Sequence, residues 1–160
     1  MTLLTRRYSF SASHRLHSPF LTEAENAELY GKCNNPYGHG HDYIMELTVG
    51  GEPDGRTGLI VPLERLDRFV NDKILRLFAH RNINLDVPQF SRLVPTTENV
   101  AVVVGSLVEE YWSAFFDDLA AYPFRLHVQE TDRNGFELKL EKFRHLKRPP
   151  MENKRVMVHV

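Results

Sequence analysis

Three histidines and the chain's one cysteine fall in two short stretches whose residue types could do metal-assisted chemistry. His14 closes Phe10-Ser11-Ala12-Ser13-His14, while His39 and His41 flank Gly40 and follow Cys33 in Gly31-Lys32-Cys33-Asn34-Asn35-Pro36-Tyr37-Gly38-His39-Gly40-His41. Three imidazoles with no obvious fourth protein ligand suit catalytic zinc, whose open position takes substrate oxygens; structural zinc is normally closed by four ligands, often thiolates. The alternative is three unrelated histidines, each satisfied by ordinary hydrogen bonds. A His-Gly-His pair with a third histidine on a neighbouring strand favours the metal. Cys33 also has two readings: a small buried apolar residue, as unpaired cysteines often are, or an activated thiol. Its polar Asn-Pro-Gly loop beside a cationic centre favours the second, because such a setting lowers a thiol's pKa and yields a thiolate able to abstract a proton or attack carbon. The pattern points to an enzyme.

The spacing dictates what the elements must do. Successive strand side chains alternate faces, so His39 and His41 project together if they open a strand, and His14 meets them if it ends the strand paired alongside. From Leu3 to Ser13 and from Tyr43 to Gly51, apolar and polar residues roughly alternate, with Tyr43, Met45, Leu47 and Val49 on one face. This predicts two half-buried antiparallel strands. Between them, Leu16 to Gly38 carries Pro19, Gly31, Pro36, Gly38 and several Asn, and reads as a long loop with one helical turn near Glu23 to Leu29. A loop that long in a small domain is usually functional.

Downstream, Leu63, Leu66, Phe69, Val70, Ile74, Leu77 and Phe78 recur at helical spacing, with Pro62 suited to the first turn. A second helix is expected from Thr97, read as its N-cap, with Glu98 in the first turn and Val100, Val103, Val104, Leu107, Val108, Tyr111 and Phe115 buried. Phe124 to Glu130 and Phe136 to Glu141, joined by Thr131-Asp132-Arg133-Asn134-Gly135, read as a hairpin. The expected order is strand, strand, helix, helix, strand, strand. His80 stands where the first helical pattern stops and reads as a C-terminal cap favoured by the helix dipole. Glu130 reads as a solvated strand end, and Thr96-Thr97-Glu98 as helix capping.

At 160 residues and 42% hydrophobic, the chain suits one globular domain. Twenty basic against twenty-one acidic residues leave a net charge of -1 and no global field toward nucleic acid or membrane, so a small-molecule partner is expected. One cysteine cannot form an internal disulfide, and no long apolar run opens the sequence, so a cytosolic, reducing location is expected. Beyond Phe143, residues 144–160 carry Arg144, Lys147, Arg148, Lys154 and Arg155 with Glu152 as the single acid. They read as a short solvated basic extension with no assigned function.

Taken in order, Phe10-Ser11-Ala12-Ser13-His14-Arg15-Leu16, the Gly31 to Tyr43 stretch, Asn82-Ile83-Asn84-Leu85-Asp86-Val87-Pro88, Pro95-Thr96-Thr97-Glu98-Asn99-Val100-Ala101 and Gln129-Glu130-Thr131-Asp132 resemble the 6-pyruvoyl-tetrahydropterin synthase family. The resemblance runs over roughly residues 4 to 141, inside a domain taken as 1–143. The five residues between Cys33 and His39 are similar to the pyruvoyl branch, where the 6-carboxy-tetrahydropterin branch usually has fewer. The resemblance implies an α+β tunnelling fold: an antiparallel four-stranded sheet with two helices on one face, closing with other chains into a barrel. Two trimers then stack into a homohexamer with active sites at subunit interfaces, which also removes the open sheet edges of a lone subunit.

The same resemblance implies that His14, His39 and His41 are zinc ligands and that Cys33 and His80 are catalytic. Glu130 would anchor the pterin ring and complete the catalytic set, while Thr96 and Thr97 would line the pterin pocket. A carboxylate suits the anchoring because it accepts two parallel hydrogen bonds from the ring's amino and N–H groups. The implied substrate is 7,8-dihydroneopterin triphosphate, which loses triphosphate and becomes 6-pyruvoyl-tetrahydropterin by internal proton shifts, with no external redox cofactor. The sequence departs from the family at Ala79, where an aspartate usually orients the following histidine, at Asp42, more often asparagine, and at Pro62. Asp42, next to His41, is a candidate to compensate. Two alternatives stay open: related pterin chemistry, such as 6-carboxy-tetrahydropterin formation or dihydroneopterin side-chain cleavage, and a zinc and pterin binder that does not catalyse.

Overall fold

The structure is a computed structural model and describes residues 2–140, so the basic extension 144–160 lies outside the described residues. Four strands, β1 (Thr2–His14), β2 (His39–Gly51), β3 (Tyr122–Thr131) and β4 (Asn134–Lys139), form one antiparallel sheet in the order β1-β2-β3-β4. The alternation in β2 does what it predicts. Tyr43, Met45, Leu47 and Val49 are fully buried on one face, with Leu126 and Val128 of β3 beside them. Five helical segments accompany the sheet: α1 (Glu23–Tyr30), α2 (Leu63–Val70), α3 (Arg76–Phe78), α4 (Ile83–Asp86) and α5 (Thr97–Phe116).

The face built by Tyr43 to Val49 is apolar because helices cover it. Leu66, Phe69 and Ile74 from the first helical run and Val100, Val104, Val108 and Trp112 from α5 are all within 1% of full burial there. Each such side chain contributes about 1.5–3 kcal/mol by leaving water. Phe69 meets Trp112 and Phe116 edge-on at 5.5 and 5.4 Å between ring centroids, and Trp112 satisfies its indole N–H on the Ala121 carbonyl at 3.1 Å. Two polar residues of β1 also point to this side. Arg6 pairs through two nitrogens with Asp67 of α2 at 2.9 and 2.6 Å, and the Tyr8 hydroxyl donates to the same carboxylate at 3.0 Å. The fork ties α2 to the edge strand while adding little stability, because both charged partners are more than a third exposed.

Several boundaries differ from the sequence expectation, each for a local reason. The run expected as one helix from Leu63 to Phe78 passes through a π-helical turn, Asn71–Leu75, between α2 and α3. Its Lys73 ammonium lies 4.6 Å from the Tyr111 ring centroid of α5. Pro62 stands at the N-cap with extended backbone rather than in the first turn, and its carbonyl accepts the Arg65 and Leu66 N–H groups. Thr96, not Thr97, caps α5: its hydroxyl accepts the Asn99 N–H at 3.4 Å, and Thr97 is the first helical residue and buried. The α5 core continues through Trp112 and Phe116, whereas Tyr111 and Phe115 are only partly buried.

The loop from Leu16 to Gly38 holds more than one helical turn. Thr22 and Glu25 form a reciprocal capping box that starts the eight-residue α1, and a 3-10 turn, Gly31–Asn34, follows it. The hairpin is tighter than expected, with Asp132 and Arg133 alone between the strands and the Thr131 hydroxyl accepting from the Arg133 and Asn134 N–H groups. A register irregularity between Gln129 and Thr131 leaves Glu130 unpaired at that point of β3. β4 ends at Lys139, and Glu141 lies outside the described residues.

Candidate metal centre

The β1/β2 register sets His14 opposite His39 and Ala12 opposite His41, so all three imidazoles reach the helix-covered face at one end of the sheet. His14 Nε2 and His39 Nε2 are 3.2 Å apart, and the ring centroids are 4.7 to 5.1 Å apart in the three pairings. One nitrogen from each ring lies within 4.8 Å of the other two. Two nitrogens bound to one tetrahedral zinc at normal distances sit about 3.3 Å apart, so the His14–His39 pair already stands at ligand spacing and drawing His41 in completes the set.

Its chemistry fits a metal as well as its spacing does. His39 Nδ1 and His41 Nε2 are buried without a hydrogen-bond partner, which rules against three histidines each satisfied by the protein. His14 is 1% exposed and bonds through Nδ1 to the Pro95 carbonyl at 2.7 Å. That bond makes Nδ1 the protonated nitrogen and leaves Nε2 as a lone-pair donor. Burial pushes the His14 and His39 pKa values below the ordinary imidazole range, and repulsion from the neighbouring rings works the same way. Both are thereby kept in the neutral, ligating form.

Glu130 is not a solvated strand end. Its side chain is 12% exposed, with Oε1 3.5 Å from His14 Nε2 and 3.8 Å from His41 Nε2. The hydroxyl of Tyr43, fully buried two residues after His41, donates to the same Oε1 at 3.2 Å. Sequence reading took Tyr43 only as a core residue. The missed signal was a polar-tipped aromatic on the same strand face as His41. Burial and the adjacent Glu130 carboxylate raise the Tyr43 pKa far above its normal range, so it stays a donor. Behind the cluster, the Pro95 carbonyl that holds His14 immediately precedes Thr96 and Thr97, which brings the start of α5 to this end of the sheet.

Cys33 and His80 are held elsewhere. Cys33 is half-buried on the 3-10 turn, its carbonyl accepting the Leu16 N–H at 2.9 Å, and its thiol is not part of the imidazole cluster. His80 is exposed and has φ of 60°, a left-handed conformation that costs a non-glycine residue about 1–3 kcal/mol. It does not cap the helix as expected: α3 ends at Phe78 with Ala79 at the cap position, and the left-handed turn sends the chain along the outer edge of β1. There the His80 N–H donates to the Ser11 carbonyl at 2.7 Å, and Ser13 N–H donates to the Arg81 carbonyl at 2.9 Å. Ala79 packs against the core. Strand alternation turns Asp42 to the face opposite His41, where it accepts the hydroxyl of Ser11, the residue whose carbonyl accepts the His80 N–H.

A four-stranded antiparallel sheet, helix-covered on one face and carrying three converging imidazoles at its end, defines an α+β protein of the tunnelling-fold class with a site able to hold a metal ion. The chain belongs to the 6-pyruvoyl tetrahydropterin synthase family, whose model matches residues 3–141. It is 45% identical over 132 residues to the 6-pyruvoyl tetrahydrobiopterin synthase of Poecilia reticulata, covering 82% of this chain and 85% of the relative. Identity to the enzyme of that name from Homo sapiens is 43% over 131 residues, covering 82% and 86% of the two chains. The solved structure of Caenorhabditis elegans 6-pyruvoyl tetrahydropterin synthase matches with a TM-score of 0.77 at 37% identity, over 86% of this chain and 94% of that one. The Plasmodium falciparum 6-pyruvoyl tetrahydropterin synthase structure, at 14% identity and a TM-score of 0.58, covers 86% of this chain and 96% of that one and shares the fold. Among the described residues no helix is long and apolar enough to cross a membrane.

Proposed function

We propose that this chain is a zinc-dependent carbon-oxygen lyase that converts 7,8-dihydroneopterin triphosphate to 6-pyruvoyl-tetrahydropterin and triphosphate. The observation that carries the proposal is the convergence of His14, His39 and His41 beside the Glu130 carboxylate in a chain of this family. Zinc, held by the three imidazoles, would polarise the substrate's side-chain hydroxyls and acidify the adjacent C–H bonds. Glu130 accepts hydrogen bonds from the pterin ring, with Thr96 and Thr97 lining the pocket. The Cys33 thiolate removes a carbon-bound proton, the bond to the triphosphate oxygen breaks, and proton shifts relayed by His80 convert the side-chain hydroxyls to carbonyls. Electrons stay within the substrate, so no redox partner enters.

The catalytic domain is taken as residues 1–143 and the basic stretch 144–160 as an extension of it. Cys33 is anchored at Leu16, just past the end of β1, and His80 at Ser11 within it. That separation supports a site completed at a boundary between chains, as in a homohexamer. Phe20, Tyr37 and Leu85, exposed at 88%, 95% and 82%, support such contacts. The lone free cysteine supports a cytosolic, reducing location.

Ala79 favours one further reading: with no carboxylate behind His80, the relay is weaker and the pterin chemistry slower or altered. The mechanism is tested by Cys33→Ala. It should keep one zinc per chain and bind pterin while losing turnover by orders of magnitude; full turnover would remove Cys33 from the reaction.

A further inference from the structure

Glu130 stands between two employments. Carboxylate oxygens are themselves good zinc ligands. Its Oε1 lies 3.5 and 3.8 Å from two imidazole nitrogens, close to the separation of about 3.3 Å between neighbouring ligands on one tetrahedral ion. A side-chain rotation that also brought Oε1 toward His39 would carry it into the fourth position. The centre would then be closed by protein, as structural zinc sites are, and the substrate hydroxyls would have no place on the metal.

One buried proton stands in the way of that rotation. The Tyr43 hydroxyl has two neighbours that could accept it, Glu130 Oε1 at 3.2 Å and His14 Nδ1 at 3.4 Å. His14 Nδ1 already donates its own proton to the Pro95 carbonyl at 2.7 Å, so it offers no lone pair. Tyr43 therefore donates to Glu130, and to the very oxygen that faces the imidazoles. The hydroxyl cannot follow the carboxylate if it moves, because the ring is fully buried and stacked on Phe10 with centroids 5.1 Å apart and planes 12° apart. Three rings fix its position: Phe10 stacked on it, and the His41 and His14 rings edge-on at 5.8 and 6.3 Å between centroids.

We infer that the Tyr43 hydroxyl holds the Glu130 carboxylate off the open coordination position of the metal and leaves Oε2, with the free lone pair of Oε1, to face the pterin. Tyr43 is then a positioning residue, and both substrate access to the metal and ring anchoring depend on it. The inference deepens the proposed function and rests on it for the pterin; the part that concerns the metal stands on geometry alone.

The test uses the full chain with cobalt(II) in place of zinc, in wild type, Tyr43→Phe, Glu130→Gln and the double variant. Azide is titrated while the visible absorption of the cobalt is read. In Tyr43→Phe the released carboxylate competes with azide, so azide affinity should fall about tenfold, the size expected from one hydrogen bond to a charged group. Removing Glu130 as well should restore wild-type affinity. Wild-type azide affinity in Tyr43→Phe overturns the inference, as does a loss that persists in the double variant, which would trace the effect to His14 or to the fold. A parallel calorimetric titration of zinc-free protein with 7,8-dihydroneopterin separates the two claims. Unchanged affinity in Glu130→Gln overturns the pterin anchor, while the cobalt series still decides the role of Tyr43.

Discussion

His39 Nδ1 and His41 Nε2 are the two atoms that most need explaining, since each is buried without a partner. An unsatisfied buried polar atom costs about 1–3 kcal/mol, and a cation bound through His41 Nε2 removes that cost there. The pH behaviour of the metal-free protein follows from the same burial. His14 and His39 are held below the ordinary value of 6.5 in the folded chain, chiefly by desolvation. Unfolding returns them to about 6.5, so between that value and their folded pKa values the unfolded chain binds more protons. Stability of the metal-free protein is therefore full above about pH 7 and falls as the pH drops below about 6.5. Thermal melts of chelator-treated protein between about pH 8 and pH 5 should show Tm falling in that window; a flat profile would contradict the buried, neutral assignment. The three ligands were legible in the sequence because period-two geometry leaves His39 and His41 no choice of face once they open a strand. Glu130 and Tyr43 were not legible as partners. The strand irregularity that leaves Glu130 unpaired depends on how the Thr131 hydroxyl tightens the turn, which composition does not reveal.

The 3-10 turn that carries Cys33 is fastened to the end of β1 immediately after His14. Asn34 donates to the Leu16 carbonyl at 2.7 Å and to His17 Nδ1 at 3.0 Å, and it accepts from Arg15 through its backbone and side-chain oxygens at 3.0 and 3.3 Å. Arg15 in turn exchanges two bonds with Asn84, at 2.8 and 3.0 Å, on the far side. Thiol turn, metal strand and the segment after His80 are thus one hydrogen-bonded unit. Asn34→Ala deletes three side-chain bonds and should cost about 2–3 kcal/mol at about 1 kcal/mol each. It should lower Tm by several degrees and reduce kcat while the metal content stays at one per chain; unchanged turnover at reduced Tm would assign the unit to stability alone. At this scale the long elements were legible and their ends were not. Strand alternation and the α5 periodicity have many residues to average over, but Thr96 and Thr97 are equally good caps until the fold decides which hydroxyl reaches Asn99. The capping box at Thr22 and Glu25 lengthens the single turn expected near Glu23 to Leu29 into a full helix, a signal that the surrounding Pro and Gly residues obscure.

For the whole molecule, helices cover one face of the sheet, while the other carries polar groups such as the Arg125 and Glu137 pair and Thr5 bonded to Thr48. β4 is an edge strand, an exposed template for pairing that a closed assembly removes. Sedimentation equilibrium should give the mass of a hexamer of 18.6-kDa chains; a monomer that turns over substrate would contradict a site shared between subunits. The family was legible because five motifs recur in order, and the fold followed from it. The placement of Cys33 and His80 was not, because one is anchored at Leu16, past the end of β1, and the other at Ser11 within it. Ala79 stands beside His80, and among the described residues no carboxylate bonds to that histidine. The central claim is tested most directly by mass-spectrometric product analysis of zinc-loaded protein incubated with 7,8-dihydroneopterin triphosphate, beside an Ala79→Asp variant. The account predicts 6-pyruvoyl-tetrahydropterin and free triphosphate, formed faster by the variant. A carboxylated or side-chain-cleaved pterin, or intact substrate from both proteins, would contradict it.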